Sequence, residues 1–409
     1  MIDQSIGLMK SQLTGTDRAH LARALELAER GRGRVSPNPL VGAVVARDGE
    51  VIGEGWHAEL GDLHAERAAL AGCAERGNDP AGATMYVTLE PCAHQGRQPP
   101  CAEAILEAGI ARVVIASDDP SEKASGRGPG TLRDGGVEVE FAAGEQASAA
   151  RLLNQPFRKH ACTGMPLVTL KLAMSLDGQT ATAPGDSPWI SSEQSRELVH
   201  RWRAESDAIA VGIGTALTDD PLLTARSQPS GVPYPAQDQK RHTGTDSRQP
   251  LRVVFDRRAR LPLDSRLLQT LDQSPVLVVV APEADASALG DAGAEVLVAD
   301  GIDAALADMG RRGITSLFLE GGRTLATAFQ IAGQLDEART FVAPVLLGGG
   351  QAVTRAGGAV GGPAPEDALA TGRGRGSPAA TGPARLTPLS HAVEPIGDDV
   401  LVTARFKEW

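Results

Sequence analysis

His64, Glu66, Cys92 and Cys101 are the residues of this chain whose types and spacing can do chemistry. One imidazole and two thiolates fill three positions of a tetrahedral zinc ion and leave the fourth open to water. The two thiolates cancel the charge of Zn²⁺, and the metal brings the pKa of its bound water toward neutrality. Glu66 lies two residues from His64, too close in sequence to be a convenient fourth ligand. It is well placed to move a proton between that water and a leaving group. The plainer alternative is a closed zinc clip that only holds the fold. A closed site wants a fourth nearby Cys or His, and Cys73 and His94 are the local candidates.

The same set of groups serves the nucleobase deaminases, in which a glutamate that does not bind zinc acts as general acid and base. Their nucleic-acid-editing members usually have two residues between the cysteines, whereas eight, residues 93–100, intervene here. The insertion brings His94, Gln95 and Arg97 to the rim of the site, and an arginine with a histidine suits a phosphorylated small molecule. With Thr88-Leu89-Glu90 before it, the stretch resembles the deaminase half of the bifunctional riboflavin-biosynthesis deaminase/reductase family. That resemblance implies zinc-dependent hydrolytic deamination of 2,5-diamino-6-(5-phosphoribosylamino)pyrimidin-4-one. Asn38, in Ser36-Pro37-Asn38-Pro39, offers a donor and an acceptor to the amide edge of a pyrimidine. Pro-Asn-Pro is also turn chemistry, and both readings can hold together. Gly55-Trp56-His57 and Gly61 match the family pattern ahead of the zinc histidine. Taken alone, His57 is either pocket lining or an ordinary partly buried imidazole.

In the second half, Lys171-Leu172-Ala173-Met174-Ser175-Leu176-Asp177-Gly178 resembles the opening strand and loop of the family's reductase, whose fold is similar to dihydrofolate reductase. Ser187-Pro188-Trp189-Ile190, Arg203, Gly214-Thr215, the block 219–224 and Arg226 follow in the family's order. The resemblance implies NADPH contacts at Ala173, Trp189, Thr215 and Asp219. It also places the cofactor phosphates on the turn Gly321-Gly322-Arg323-Thr324-Leu325. Ser187, Arg203, Leu223, Arg226 and Glu320 would hold the substrate, with Arg203 and Arg226 as a fork around its 5-phosphate. From the residues alone, Gly321-Gly322 is either a plain turn or a close phosphate approach at a helix start. It is not the Gly-x-Gly-x-x-Gly fingerprint. The family often has a small hydroxyl residue after the Asp of its cofactor strand, but here Asp256 precedes Arg257. That change removes one cofactor contact or adds a partner for the 2′-phosphate. Asp219 and Glu320 are the candidates for the reductase proton donor.

These residues need elements to hold them. Helical periodicity covers 17–30, with Thr16 or Asp17 as cap, and 65–76, which begins at the metal ligand. A helix at 101–108 sets Cys101 at an N-terminus, where the dipole favours thiolate. Short β-branched runs at 40–46, 84–89, 112–117 and 137–141 predict a first sheet. The polar segment 158–166 reads as the domain junction. Beyond it, strands at 167–172, 208–211, 251–255, 276–280, 296–299 and 316–319 alternate with helices. Those helices fall at 193–205, 302–312 and 324–332, a pattern of a largely parallel sheet covered on both faces. Residues 398–406 are expected as a final edge strand.

The expected fold class is therefore α/β in two domains. By resemblance, 15–160 is a cytidine-deaminase-like α/β/α domain and 166–409 a dihydrofolate-reductase-like α/β domain. Residues 227–249 and 357–383 are expected as flexible insertions; the Arg-Gly run 372–376 reads as linker before RNA contact.

Composition excludes other classes. A chain of 409 residues is longer than one core usually serves. A net charge of −11 and 3% aromatic residues argue against a nucleic-acid partner, which needs a basic face and stacking platforms. No apolar run approaches the roughly 18–20 residues of a membrane span, and the N-terminus does not read as a secretory signal. Cysteine usage fits a reducing cytoplasm, and a homo-oligomer, a dimer through the second domain, is expected. Two other readings stay open: an active deaminase whose second domain only binds a ligand, and a nucleic-acid editing enzyme, which the cysteine spacing and charge oppose.

Overall fold

Runs of β-branched residues between amphipathic helices fold into two compact units, Met1–Gly164 with Trp409 and Met165–Glu408. The computed structural model describes residues 13–93, 95, 98–122, 124–180, 189–226, 249–348 and 385–409. His94, Arg97, Ser187, residues 227–248 and the expected insertion 357–383 lie outside the described residues. Among those described, no helix is long and apolar enough to cross a membrane.

The first unit opens with α1 (Gly15–Glu29), the strands β1 (Gly42–Arg47) and β2 (Glu50–Trp56), and α2 (Ala65–Glu75). It continues through β3 (Thr84–Val87), α3 (Cys101–Glu107), β4 (Arg112–Ile115), α4 (Arg127–Asp134) and β5 (Glu138–Phe141). Helices α5 (Glu145–Leu153) and α6 (Gln155–Thr163) close it. The sheet order is β2-β1-β3-β4-β5, with β1 antiparallel to both neighbours and β3, β4 and β5 parallel. Side chains alternate across it with the two-residue strand period. Ala43, Val45, Met85, Val87, Val113 and Ile115 meet α2 and α3 on one face, while Val44, Tyr86 and Val114 meet α1 on the other.

Two expectations for this unit need correction and one gains detail. Helix α1 is capped by Thr14, not Thr16 or Asp17, because Thr14 and Asp17 form a reciprocal capping box. The polar stretch 158–166, expected as the domain junction, does hold the boundary between the units, Gly164/Met165, and most of it is helical. Helix α6 runs to Thr163, started by a proline in its first turn and stopped by Gly164 at φ 70°. Strand β2 was not expected, since its glycines and glutamates hide the alternation. Asp48 and Gly49, both at positive φ, form the tight turn that folds it back on β1.

The second unit contains β6 (Leu167–Ser175), α7 (Glu193–Glu205), β7 (Ala208–Gly212), α8 (Ile213–Asp219) and β8 (Leu251–Phe255). Next come α9 (Arg266–Gln269), β9 (Val276–Val280), α10 (Ser287–Asp291), β10 (Glu295–Val298), α11 (Ile302–Arg311) and β11 (Ser316–Leu319). Helix α12 (Arg323–Ile331) and strands β12 (Glu337–Ala343), β13 (Ser390–Ile396) and β14 (Asp399–Arg405) complete it. Among the described residues the sheet order is β10-β9-β8-β7-β11-β6-β12-β14-β13. The stretch from β10 to β12 is parallel, and β14 and β13 are antiparallel additions. The final strand is thus not at the edge: β14 pairs with β12 on one side and β13 on the other. Strand β13, which carries no apolar alternation, takes the edge.

Candidate active sites

Helix α2 brings the metal-site residues into place because β2 has no side chains under it. A Cβ on Gly55 would sit 2.2 Å from Ala69 N, and one on Gly53 would sit 2.3 Å from Cys73 Sγ. Backbone therefore lies on backbone, and His64, the N-cap of α2, and Glu66 in its first turn are held over the end of the sheet. Cys101 is the first residue of α3, and Cys92 reaches it from the loop after β3. The ligand atoms of His64, Cys92 and Cys101 lie within 4.8 Å of one another. His64 Nδ1 is 3.6 Å from Cys92 Sγ and 3.4 Å from Cys101 Sγ, and the Cys101 N–H donates to Cys92 Sγ at 3.4 Å. One imidazole and two soft thiols converging on a point fit zinc, and Cys73 joins β2 and α2 in the core instead of closing the set.

The electrostatics of the cluster suit a cation. Cys101 and His64 together hold the Cys92 thiol down to about 4, while that same contact and burial push Cys101 up. Glu66 is buried, and desolvation, reinforced by Cys92, pushes its carboxyl up to about 7. A carboxyl poised there both takes and gives a proton near neutrality.

Asn38 and His57 come together beside the ligands. Asn38 Nδ2 is 3.1 Å from His57 Nε2, His57 Nδ1 is 3.0 Å from the Leu63 carbonyl oxygen, and the His57 ring meets His64 edge-on at 5.5 Å. The Asn154 carboxamide clamps the backbone of Leu40 at 2.8 and 2.9 Å, which fixes the loop carrying Asn38. Gln95 is exposed.

In the second unit, the C-terminal ends of β7 and β8 and the N-terminus of α12 enclose a cavity of about 170 Å³. Gly212, Gly214, Asp256, Arg257, Thr324 and Leu325 line it. Parallel strands open such crevices at their carboxyl ends, and the free N–H groups of a helix start suit a phosphate. Gly321 packs closely on Leu325, since a Cβ there would lie 2.9 Å from its Cδ2, whereas a Cβ on Gly322 would only make ordinary contact with Thr215. Arg257 Nη2 lies 3.4 Å from Glu283, and Asp256 accepts from the backbone N–H groups of Arg260 and Leu261. Trp189 is exposed, with Arg196 5.2 Å above its ring. Ala173 lies on β6 opposite Phe341, and burial pushes the Asp219 carboxyl, at the end of α8, upward.

Of the remaining substrate candidates, Arg203 is engaged within the protein and Arg226 is exposed. Arg203 binds Glu320 through Nε at 2.5 Å and Nη2 at 2.9 Å, and its Nη1 donates to the Thr224 carbonyl at 3.2 Å. Arg226 is exposed, whereas Leu223 is buried in the left-handed region at φ 51°. Lys171, absent from the expected set, faces the Arg203–Glu320 pair electrostatically, and burial pulls its ammonium down. The signal was present: a lone cation interrupts the apolar strand Leu167–Ser175.

Comparison with known proteins follows the same division. Residues 14–117 match the model of the cytidine and deoxycytidylate deaminase zinc-binding region, and residues 166–363 match that of the RibD C-terminal domain. A riboflavin biosynthesis protein RibD from Escherichia coli is 40% identical over 341 residues, covering 81% of this chain and 89% of that protein. Its counterpart from Aquifex aeolicus is 38% identical over 340 residues, with 82% and 89% covered. Among solved structures, Acinetobacter baumannii RibD superposes with a TM-score of 0.76 at 36% identity, covering 96% of this chain and 99% of that one. A Thermotoga maritima diaminohydroxyphosphoribosylaminopyrimidine deaminase/5-amino-6-(5-phosphoribosylamino)uracil reductase gives 0.75 at 32% identity, with 96% and 99% covered. With both family models in order and this coverage, the chain belongs to the RibD family of riboflavin biosynthesis proteins and is a bifunctional enzyme, a zinc-binding deaminase half followed by a reductase half.

Proposed function

We propose that the first unit hydrolytically deaminates 2,5-diamino-6-(5-phosphoribosylamino)pyrimidin-4-one and that the second reduces the ribosyl group of the product to ribityl with NADPH. The observation that carries the reading is the convergence of His64, Cys92 and Cys101 with Glu66 buried beside them. Zinc, when bound by those three residues, supplies a water acidic enough to lose a proton near neutrality. Glu66 accepts that proton on its carboxylate and returns it to the departing amine. Asn38 supports the ring edge, and His94, Gln95 and Arg97 on the inserted loop take the phosphorylated side chain.

In the second unit the cavity at the ends of β7 and β8 takes the cofactor, with Gly321, Gly322, Arg323, Thr324 and Leu325 on its phosphates and Ala173, Trp189, Thr215 and Asp219 along its length. NADPH, when bound, supplies the hydride. Ser187, Arg203, Leu223, Arg226 and Glu320 hold the substrate, with Arg203 oriented by Glu320 and Arg226 left to meet the phosphate. The four free cysteines suit a reducing cytoplasm, and a dimer through the second unit is the expected assembly.

Glu66→Gln tests the deaminase half. The variant should retain one zinc per chain by metal analysis while deamination falls by about 10²–10⁴-fold. Loss of zinc together with activity would move Glu66 from proton carrier to structural support.

A further inference from the structure

His57 has both ring nitrogens engaged within the protein, and what they engage fixes their roles. Nδ1 faces the Leu63 carbonyl oxygen at 3.0 Å. A carbonyl oxygen only accepts, so Nδ1 carries the hydrogen. In the neutral ring Nε2 then offers a lone pair, and the group facing it at 3.1 Å must donate. That group is the Asn38 amide nitrogen, so the Asn38 carboxamide cannot turn over without setting oxygen against lone pair. The loop cannot drift away either: Asn38 N–H is bonded to Val35 O at 2.9 Å, and the Asn154 side chain holds Leu40. Among the described residues, no hydrogen bond reaches Asn38 Oδ1.

We propose that His57 is a positioning residue of the deaminase site: its Nδ1–H tautomer, set by Leu63, locks the Asn38 side chain so that its carbonyl oxygen is the group offered to the substrate. The inference rests on the deaminase reading and makes it more specific. Asn38 Oδ1 becomes a fixed acceptor, so the part of the heterocycle that meets it must present an N–H, and His57 shapes that choice without touching the ligand. A ring analogue that offers only a lone pair at that edge meets oxygen against lone pair and is rejected.

The test uses the zinc-loaded full chain. First, ¹⁵N imidazole spectra of the unsubstituted protein, with His57 assigned by its loss in His57→Gln, should show the Nδ1–H tautomer. An Nε2–H tautomer or an imidazolium at neutral pH would overturn the proposal. Second, deaminase kcat and KM are measured for Asn38→Ala, His57→Leu, His57→Gln and the pair Asn38→Ala with His57→Leu. His57→Leu should lose roughly 10–100-fold in kcat/KM with zinc retained, as misplacement of one orienting group allows. His57→Gln, whose carbonyl oxygen can accept from Asn38, should recover part of that loss. The paired variant should be no worse than Asn38→Ala alone. If the two losses instead multiply, His57 acts independently of Asn38 and the proposal fails. Absence of turnover in the unsubstituted enzyme would overturn the deaminase reading, and the tautomer measurement would then decide the assignment of His57.

Discussion

Residue types in the zinc site carry most of the functional information in this chain. A histidine, two cysteines and a glutamate are few enough, and their chemistry narrow enough, that the sequence alone points to one reaction class. The structure places the ligand atoms of His64, Cys92 and Cys101 within 4.8 Å of one another. The proposed cofactor site is less legible, because the residues assigned to it are glycines, small residues and a helix start that serve many purposes. The family resemblance makes Arg203 a substrate-phosphate ligand, and its bond to Glu320, 117 positions away, emerges only on folding. Arg257 and Arg260 both line the cavity at the end of β8. Replacing Arg257 with Ser and Arg260 with Ala should weaken NADPH binding by about tenfold while leaving NADH nearly unchanged, read by calorimetry. Equal losses for both cofactors would mean that the arginines support the fold and do not read the 2′-phosphate.

At the scale of elements, the strongest runs were legible to the residue. Strands Leu251–Phe255, Val276–Val280 and Ser316–Leu319 and helix Glu193–Glu205 coincide with their sequence patterns, because continuous apolar burial leaves little choice of register. Strand β2 is hidden by its glycines, and those same glycines let α2 lie directly on it. Gly55→Val should therefore displace α2, lowering zinc affinity and destabilising the first unit by about 1–3 kcal/mol by overpacking. Thermal unfolding with and without zinc checks this, and a variant with unchanged stability and affinity would contradict it. Asp17 ties α1 to the sheet, accepting from Arg112 at 2.8 Å and from the Tyr86 hydroxyl at 2.9 Å. Burial opposes its ionisation, but the hydrogen bonds from Arg112, Thr14 and Tyr86 outweigh it and hold the carboxyl well below its ordinary 3.8. With the folded value depressed, this stabilisation is fully present above about pH 4 and is lost as the pH falls through the folded value. Asp17→Asn should cost roughly 1–3 kcal/mol at pH 7 and flatten the acid limb of the unfolding curve. An acid limb as steep as in the unsubstituted protein would assign it to other carboxylates.

The whole molecule joins two α/β units, each a parallel sheet with antiparallel additions at one end. Strand order is where sequence reading stops: residues 399–405 are plainly a strand, yet nothing local says that β13 will lie outside it. Two domains are expected from length and from the two sets of motifs, while the order of the two reactions comes from the family alone. The central claim, two activities in one chain, is tested most directly by mass spectrometry. The purified, zinc-loaded protein is incubated with the diaminopyrimidinone phosphate substrate, with and without NADPH. The account predicts exchange of one amino group for oxygen in both tubes, and a gain of two hydrogens only where NADPH is present. Substrate unchanged in both tubes would contradict it.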